Sequence, residues 1–158
     1  MTVDAPKERV WEVLADFGGV SNWAPTITES RSLTEANEGV GAERTCDHVK
    51  MGTLEERIVE WEEGERYAYI VTKGLPMPMK SLKNDWSAAT ANGATRVDLR
   101  MVFETKFGPL GTMIEAMMLR RMMRKEMGIS LAGLKYHVET GKTATMEVED
   151  DLPISAVV

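Results

Sequence analysis

Apolar and polar positions along this chain change period twice. Up to residue 17 the spacing is helical, with Val10, Trp11, Val13, Leu14 and Phe17 on one face. Asp4-Ala5-Pro6-Lys7-Glu8 reads as a helix start: an aspartate cap, a proline in the first turn, then an acid near the positive end of the dipole. Gly18-Gly19 ends that helix, and Val20 to Trp23 forms another short helical turn that stops before Pro25. From residue 27 the period becomes two. Runs at Ile27–Leu33, Gly41–Lys50, Thr53–Glu62, Arg66–Lys73 and Lys80–Ala89 read as strands, with Pro76-Met77-Pro78 as a loop over the sheet. Asn92-Gly93 is a hairpin turn. A last strand follows, with Val97, Leu99, Met101 and Phe103 facing one way and Arg96, Asp98 and Arg100 the other. Helical spacing returns from about Pro109 to Gly141, where Leu110, Met113, Ile114, Met117, Met127, Leu131, Leu134 and Val138 make a broad stripe. Met118, Met122 and Ile129 fall nearly opposite it.

Hairpins in series predict an antiparallel meander. A curved antiparallel sheet of six to seven strands wrapped around one long C-terminal helix, with two short N-terminal helices, is an α+β architecture that leaves a hollow between sheet and helix. That hollow suits a small molecule. The expected division is a ligand-binding domain at residues 1–141 and an acidic tail at 142–158.

Composition narrows the function. The 158 residues carry a net charge of −6, which argues against nucleic-acid binding. No apolar run approaches the ~20 residues of a membrane span, so no stable membrane insertion is expected. With no export-type start, a cytoplasmic protein is the expectation. Cys46 is the only cysteine, and His48 and His137 are the only histidines. Metal and cofactor are therefore not expected, and no phosphate loop, paired-histidine motif or nucleophile elbow is present. The 12 methionines suit irregular core filling, an adaptable cavity wall or a contact surface for a partner.

Several short motifs then carry a resemblance: Asp4-Ala5-Pro6 with Val10-Trp11, Asp16-Phe17-Gly18 with Trp23 and Pro25, and Val40-Gly41 with Arg44. Glu56-Arg57-Ile58, Arg66-Tyr67 with Tyr69, and Leu131 with Leu134-Lys135 complete the set. In this order and spacing the chain resembles the SRPBCC superfamily, the helix-grip proteins that include polyketide cyclases, START-type lipid carriers and the birch-pollen allergen. The resemblance implies a seven-stranded sheet gripping a C-terminal helix around an apolar cavity. It does not imply a reaction, since one fold hosts many functions. The chain departs from the family in having only Met1-Thr2-Val3 ahead of the first helix, where the family has a full strand. Ala144, Met146 and Val148 alternate with Thr145, Glu147 and Glu149, so a tail strand, from this molecule or a partner in a homodimer, could fill that edge. The alternative is a shortened first strand and a disordered tail.

Alternation also predicts the cavity face. Arg44, Cys46 and His48 share the inward side of one strand, and Leu54, Glu56 and Ile58 that of the next. An inward charge needs a partner, and Arg44 and Glu56 lie on hairpin neighbours. His48 and Glu56 are the candidate catalytic residues, moving a proton while Arg44 holds a carboxylate, carbonyl or enolate oxygen. The alternative is an internal salt bridge with His48 at the rim. Tyr69, Asn84 and Trp86 would add hydrogen bonds and an aromatic wall, and Cys46 a small apolar one. Met113, Met117, Arg120 and Arg124 would line the helix side, the two arginines meeting an anionic head group or reaching solvent. Three functions follow: a carrier of a hydrophobic or amphipathic small molecule, lipid-like or polyketide-like, a cyclase- or dehydratase-like enzyme, or a structural partner module that displays the Met-rich helix.

Overall fold

A computed structural model describes residues 1–106 and 112–146, with residues 112–116 described as backbone alone. The elements run β1 (Thr2–Val3), α1 (Lys7–Ala15), a 3-10 turn (Phe17–Asn22), β2 (Ile27–Ser32), β3 (Glu43–His48) and β4 (Gly52–Glu62). They continue with β5 (Arg66–Lys73), β6 (Met79–Ala91), β7 (Ala94–Thr105) and α2 (Thr112–Thr140). All strand pairs are antiparallel, in one seven-stranded sheet ordered β1-β7-β6-β5-β4-β3-β2. Asn92 and Gly93 join β6 to β7 with φ of 50° and 83°, the left-handed pair that a two-residue hairpin needs.

The first helix starts differently from its sequence signature. Pro6 caps α1 in an extended conformation, with no side-chain cap. Asp4 instead offers its backbone N–H to Glu139 Oε1 at 2.7 Å, so the residue that looked like a cap ties the chain start to the end of α2. The edge beside β7 is also held otherwise than by the tail. β1 pairs Thr2 with Arg96 and Val3 with Thr95, and Val3 is fully buried. Residues 142–146 form no strand. Ala144 is buried and donates its N–H to Asn22 O at 3.0 Å, across on the 3-10 turn. Glu147, Val148 and Glu149 of the expected tail strand lie outside the described residues.

One concave sheet face supplies the core through Leu54, Ile58, Tyr67, Tyr69, Leu82, Trp86, Ala88 and Val97, joined by Val10 and Leu14 of α1 and Leu131, Leu134 and Val138 of α2. Full burial of a valine, leucine or isoleucine of this set contributes roughly 1.5–3 kcal/mol. The N-terminal half of α2 is another matter. Met117, Met118 and Met122 are exposed, while Met123 is buried. Arg120 and Arg124 also point outward. The stripe expected from sequence is therefore turned by about one residue, some 100° of helix. Burying Met123 and leaving two guanidinium groups hydrated avoids the desolvation that the other rotation would impose.

A close approach fixes α2 in its C-terminal half. A Cβ on Gly133 would lie 2.2 Å from Trp23 O and 2.5 Å from Pro25 Cδ, so the Trp-x-Pro loop abuts bare helix backbone there. A Cβ on Gly128, five residues earlier, would point into open space with nothing within 4 Å. Gly133→Ala is expected to destabilise the fold by about 1–3 kcal/mol in urea denaturation. Gly128→Ala should gain roughly 0.5–1 kcal/mol from helix propensity.

Candidate functional site

Between the sheet and α2 lies a pocket of about 70 Å³. Its walls come from β3, β4, β5, β6 and β7, from the Trp23–Ile27 segment, and from Met123, Glu126 and Ser130 of α2. Period-two alternation places Arg44 and His48 of β3, Glu56 of β4, Tyr69 of β5, and Asn84 and Trp86 of β6 on this wall together.

Arg44 and Glu56 are direct partners in the β3–β4 register. Arg44 Nε donates to Glu56 Oε2 at 2.6 Å, its Nη1 donates to Phe17 O at 2.7 Å, and both side chains are buried. The guanidinium is also held between two rings, its Cζ 3.9 Å from the Phe17 centroid and 4.9 Å from that of Tyr69. Burial opposes the charge of Arg44, but the Glu56 carboxylate, Tyr69, Tyr67 and Cys46 together outweigh burial and raise the pKa above its ordinary value. Cys46 sits behind this pair, its Sγ 3.7 Å from Glu56 Oε2. Burial and the Glu56 charge push its thiol up to about 12, so it is no nucleophile. It is absent from the pocket wall, contrary to expectation.

His48 lies at the other end of the polar wall. Its Nδ1 accepts the backbone N–H groups of Lys50 at 3.1 Å and Met51 at 3.3 Å. In a neutral ring this places the proton on Nε2, which faces Glu126 Oε2 at 3.5 Å. At that distance the contact is electrostatic, and Glu126 Oε2 keeps no hydrogen-bond partner within the protein. Lys50 Nζ binds the other oxygen, Glu126 Oε1, at 2.6 Å. Burial would raise the pKa of Glu126, yet His48 and Lys50 together hold it below the ordinary carboxylate value.

Of the wall residues expected from sequence, the structure unites Arg44, His48, Glu56, Tyr69, Asn84 and Trp86. Met117, Arg120 and Arg124 are exposed on α2 and take no part. The side chain of Met113 lies outside the described residues. Sequence reading missed Glu126, Met123 and Trp23. Glu126 was legible as an acid three residues after Met123 and four before Ser130 on one helix face. Trp23 comes in beside Trp86, edge to face with ring centroids 5.3 Å apart. Among the described residues no group of three His, Cys, Asp or Glu side chains is placed to hold a metal, and no helix is long and apolar enough to cross a membrane.

Known proteins share this geometry at the level of the fold. The family described as polyketide cyclase / dehydrase and lipid transport matches residues 1–139. The Zhui aromatase/cyclase from Streptomyces sp. R1128 is similar at 24% identity and TM-score 0.72, over 88% of this chain and 90% of that one. A START superfamily protein from Mycobacterium smegmatis is similar at 15% identity and TM-score 0.72, over 90% and 95%. Ara h 8.0201 follows at 18% and 0.67, over 89% and 94%. At such identities the likeness is one of fold, the helix-grip fold. No curated protein sequence matches the chain.

The Arg44–Glu56 pair generates a stability test. Glu56→Gln leaves the buried guanidinium without its counter-charge and should cost about 3–5 kcal/mol in urea denaturation. Substituting the exposed partners of Arg57–Glu43 should cost less than about 1 kcal/mol.

Proposed function

We propose, for a chain that belongs to the polyketide cyclase/dehydrase and lipid transport family, that it binds an amphipathic small molecule between sheet and α2 and serves as its carrier. The observation that carries this reading is the mixed lining of the pocket. Arg44, His48, Glu56, Asn84 and Glu126 give it polar groups, while Met51, Leu82, Leu99, Met101 and Met123 give it apolar surface. A space of about 70 Å³ is well below the ~300–1,000 Å³ of drug-sized sites. It takes the polar end of such a ligand, and the apolar part makes room by displacing Met51, Met101 and Met123. Methionine side chains suit that repacking.

Native mass spectrometry on protein purified gently from its own host tests this. The expected result is a co-purified small molecule at a near one-to-one ratio, released on denaturation. Protein that is empty in every such preparation would count against the carrier.

A second reading, cyclase- or dehydratase-like catalysis, has one observation in its favour. The Nε2 of His48 faces Glu126 inside the pocket, an arrangement suited to proton transfer. Glu56, tied to Arg44, is the poorer acid–base group, so His48 with Glu126 replaces the His48–Glu56 pair expected from sequence. Under this reading His48→Gln abolishes turnover of a poly-β-ketone probe while shifting its affinity by less than about threefold. Absence of turnover in the unaltered protein sets the reading aside.

A further inference from the structure

We propose that Glu126 is the selectivity residue of this pocket, admitting a ligand end that carries an uncharged hydroxyl and turning carboxylates away. The proposal rests on the ligand-pocket reading above. It starts from four polar atoms that have no hydrogen-bond partner within the protein: Trp23 Nε1, Asn84 Oδ1, Trp86 Nε1 and Glu126 Oε2. All four belong to residues on the pocket wall that are at most 5% exposed. Buried polar atoms are seldom left unpaired, and leaving them so is costly. Two of these are donors and two are acceptors.

A hydroxyl matches that set from both sides. It donates to Glu126 Oε2 and accepts from an indole N–H, and a second oxygen on the ligand could take the other indole. An ether oxygen accepts but cannot donate, and leaves Glu126 unsatisfied. A carboxylate likewise only accepts, and brings a second negative charge against Glu126.

The cations at this wall already have carboxylate partners. Among the described wall residues the one fixed cation is Arg44, and its charge is committed to Glu56 and its Nη1 to Phe17 O. Lys50 reaches the site only through Glu126 itself. His48 faces Glu126 through Nε2. Arg120 and Arg124, which an anionic head group would need, stand outside the pocket. Selectivity therefore concentrates in one helix residue that has an oxygen to spare and carries its negative charge on the pocket wall.

The test uses three small aromatic probes of one shape: p-cresol, p-toluate and p-methylanisole, titrated into the full chain by ligand-observed NMR at neutral pH. The expected order is p-cresol tighter than either of the others by about tenfold or more. Glu126→Gln removes the charge while keeping an acceptor, and should bring p-toluate to within about threefold of p-cresol. Should that variant fail to fold by circular dichroism, Lys50→Met serves instead. Its side chain is 48% exposed, and its loss removes the cation bound to Glu126 Oε1, which should widen the gap against p-toluate. Binding of p-toluate as tightly as p-cresol to the unaltered protein overturns the proposal, and so does a gap that Glu126→Gln leaves unchanged. Binding of none of the three also overturns it. In that event the native mass spectrum, which needs none of these probes, shows separately whether the pocket reading stands.

Discussion

Arg44 and Glu56 face one another across the β3–β4 hairpin, and the burial of both charges constrains the structure around them. A guanidinium removed from water needs its charge balanced and its N–H groups received. Here the carboxylate comes from the neighbouring strand, an acceptor from the backbone of Phe17, and two ring faces from Phe17 and Tyr69. Meeting those demands together sets the hairpin register, holds the 3-10 turn against the sheet, and orients Tyr69 along the pocket wall. The pair also isolates Cys46, so that the chain's one thiol sits out of reach of the pocket.

A second charged cluster divides the work with the first. Where Arg44 and Glu56 satisfy each other and face inward as structure, Glu126 draws on His48 and Lys50 and still has an oxygen left over. The first arrangement is closed and the second open. That difference separates a residue kept for folding from one available to a ligand, even though both are buried carboxylates on the same wall.

The strand order, the hairpins and most of the inward faces were legible in the sequence because a period of two is unambiguous when one side of a sheet is buried. Arg44, His48 and Glu56 could be placed on the inward face for that reason, whereas the facing of Tyr69, Asn84 and Trp86 was left open by the sequence. The helix was less legible. Its methionines are apolar on nearly every side, so periodicity left its rotation undetermined by about one residue, and the choice fell to the relative cost of burying Met123 or the arginines. Trp23 was missed because its place depends on a loop meeting a helix, a contact between residues about 110 apart in sequence. Asp4 was misread because its local pattern favours a cap, whereas its backbone N–H is claimed by Glu139 at the far end of the chain.

The bare backbone contact at Gly133 also bears on how such a pocket could change over time. Because the Trp23 carbonyl and the Pro25 ring meet α2 where there is no side chain, the separation between that loop and the helix is a fixed datum. Replacement of wall residues on β6 and β7, or of Met51 and Met123, then alters the shape and polarity of the hollow without moving the frame against which it is measured. The container can be refitted to another molecule one side chain at a time.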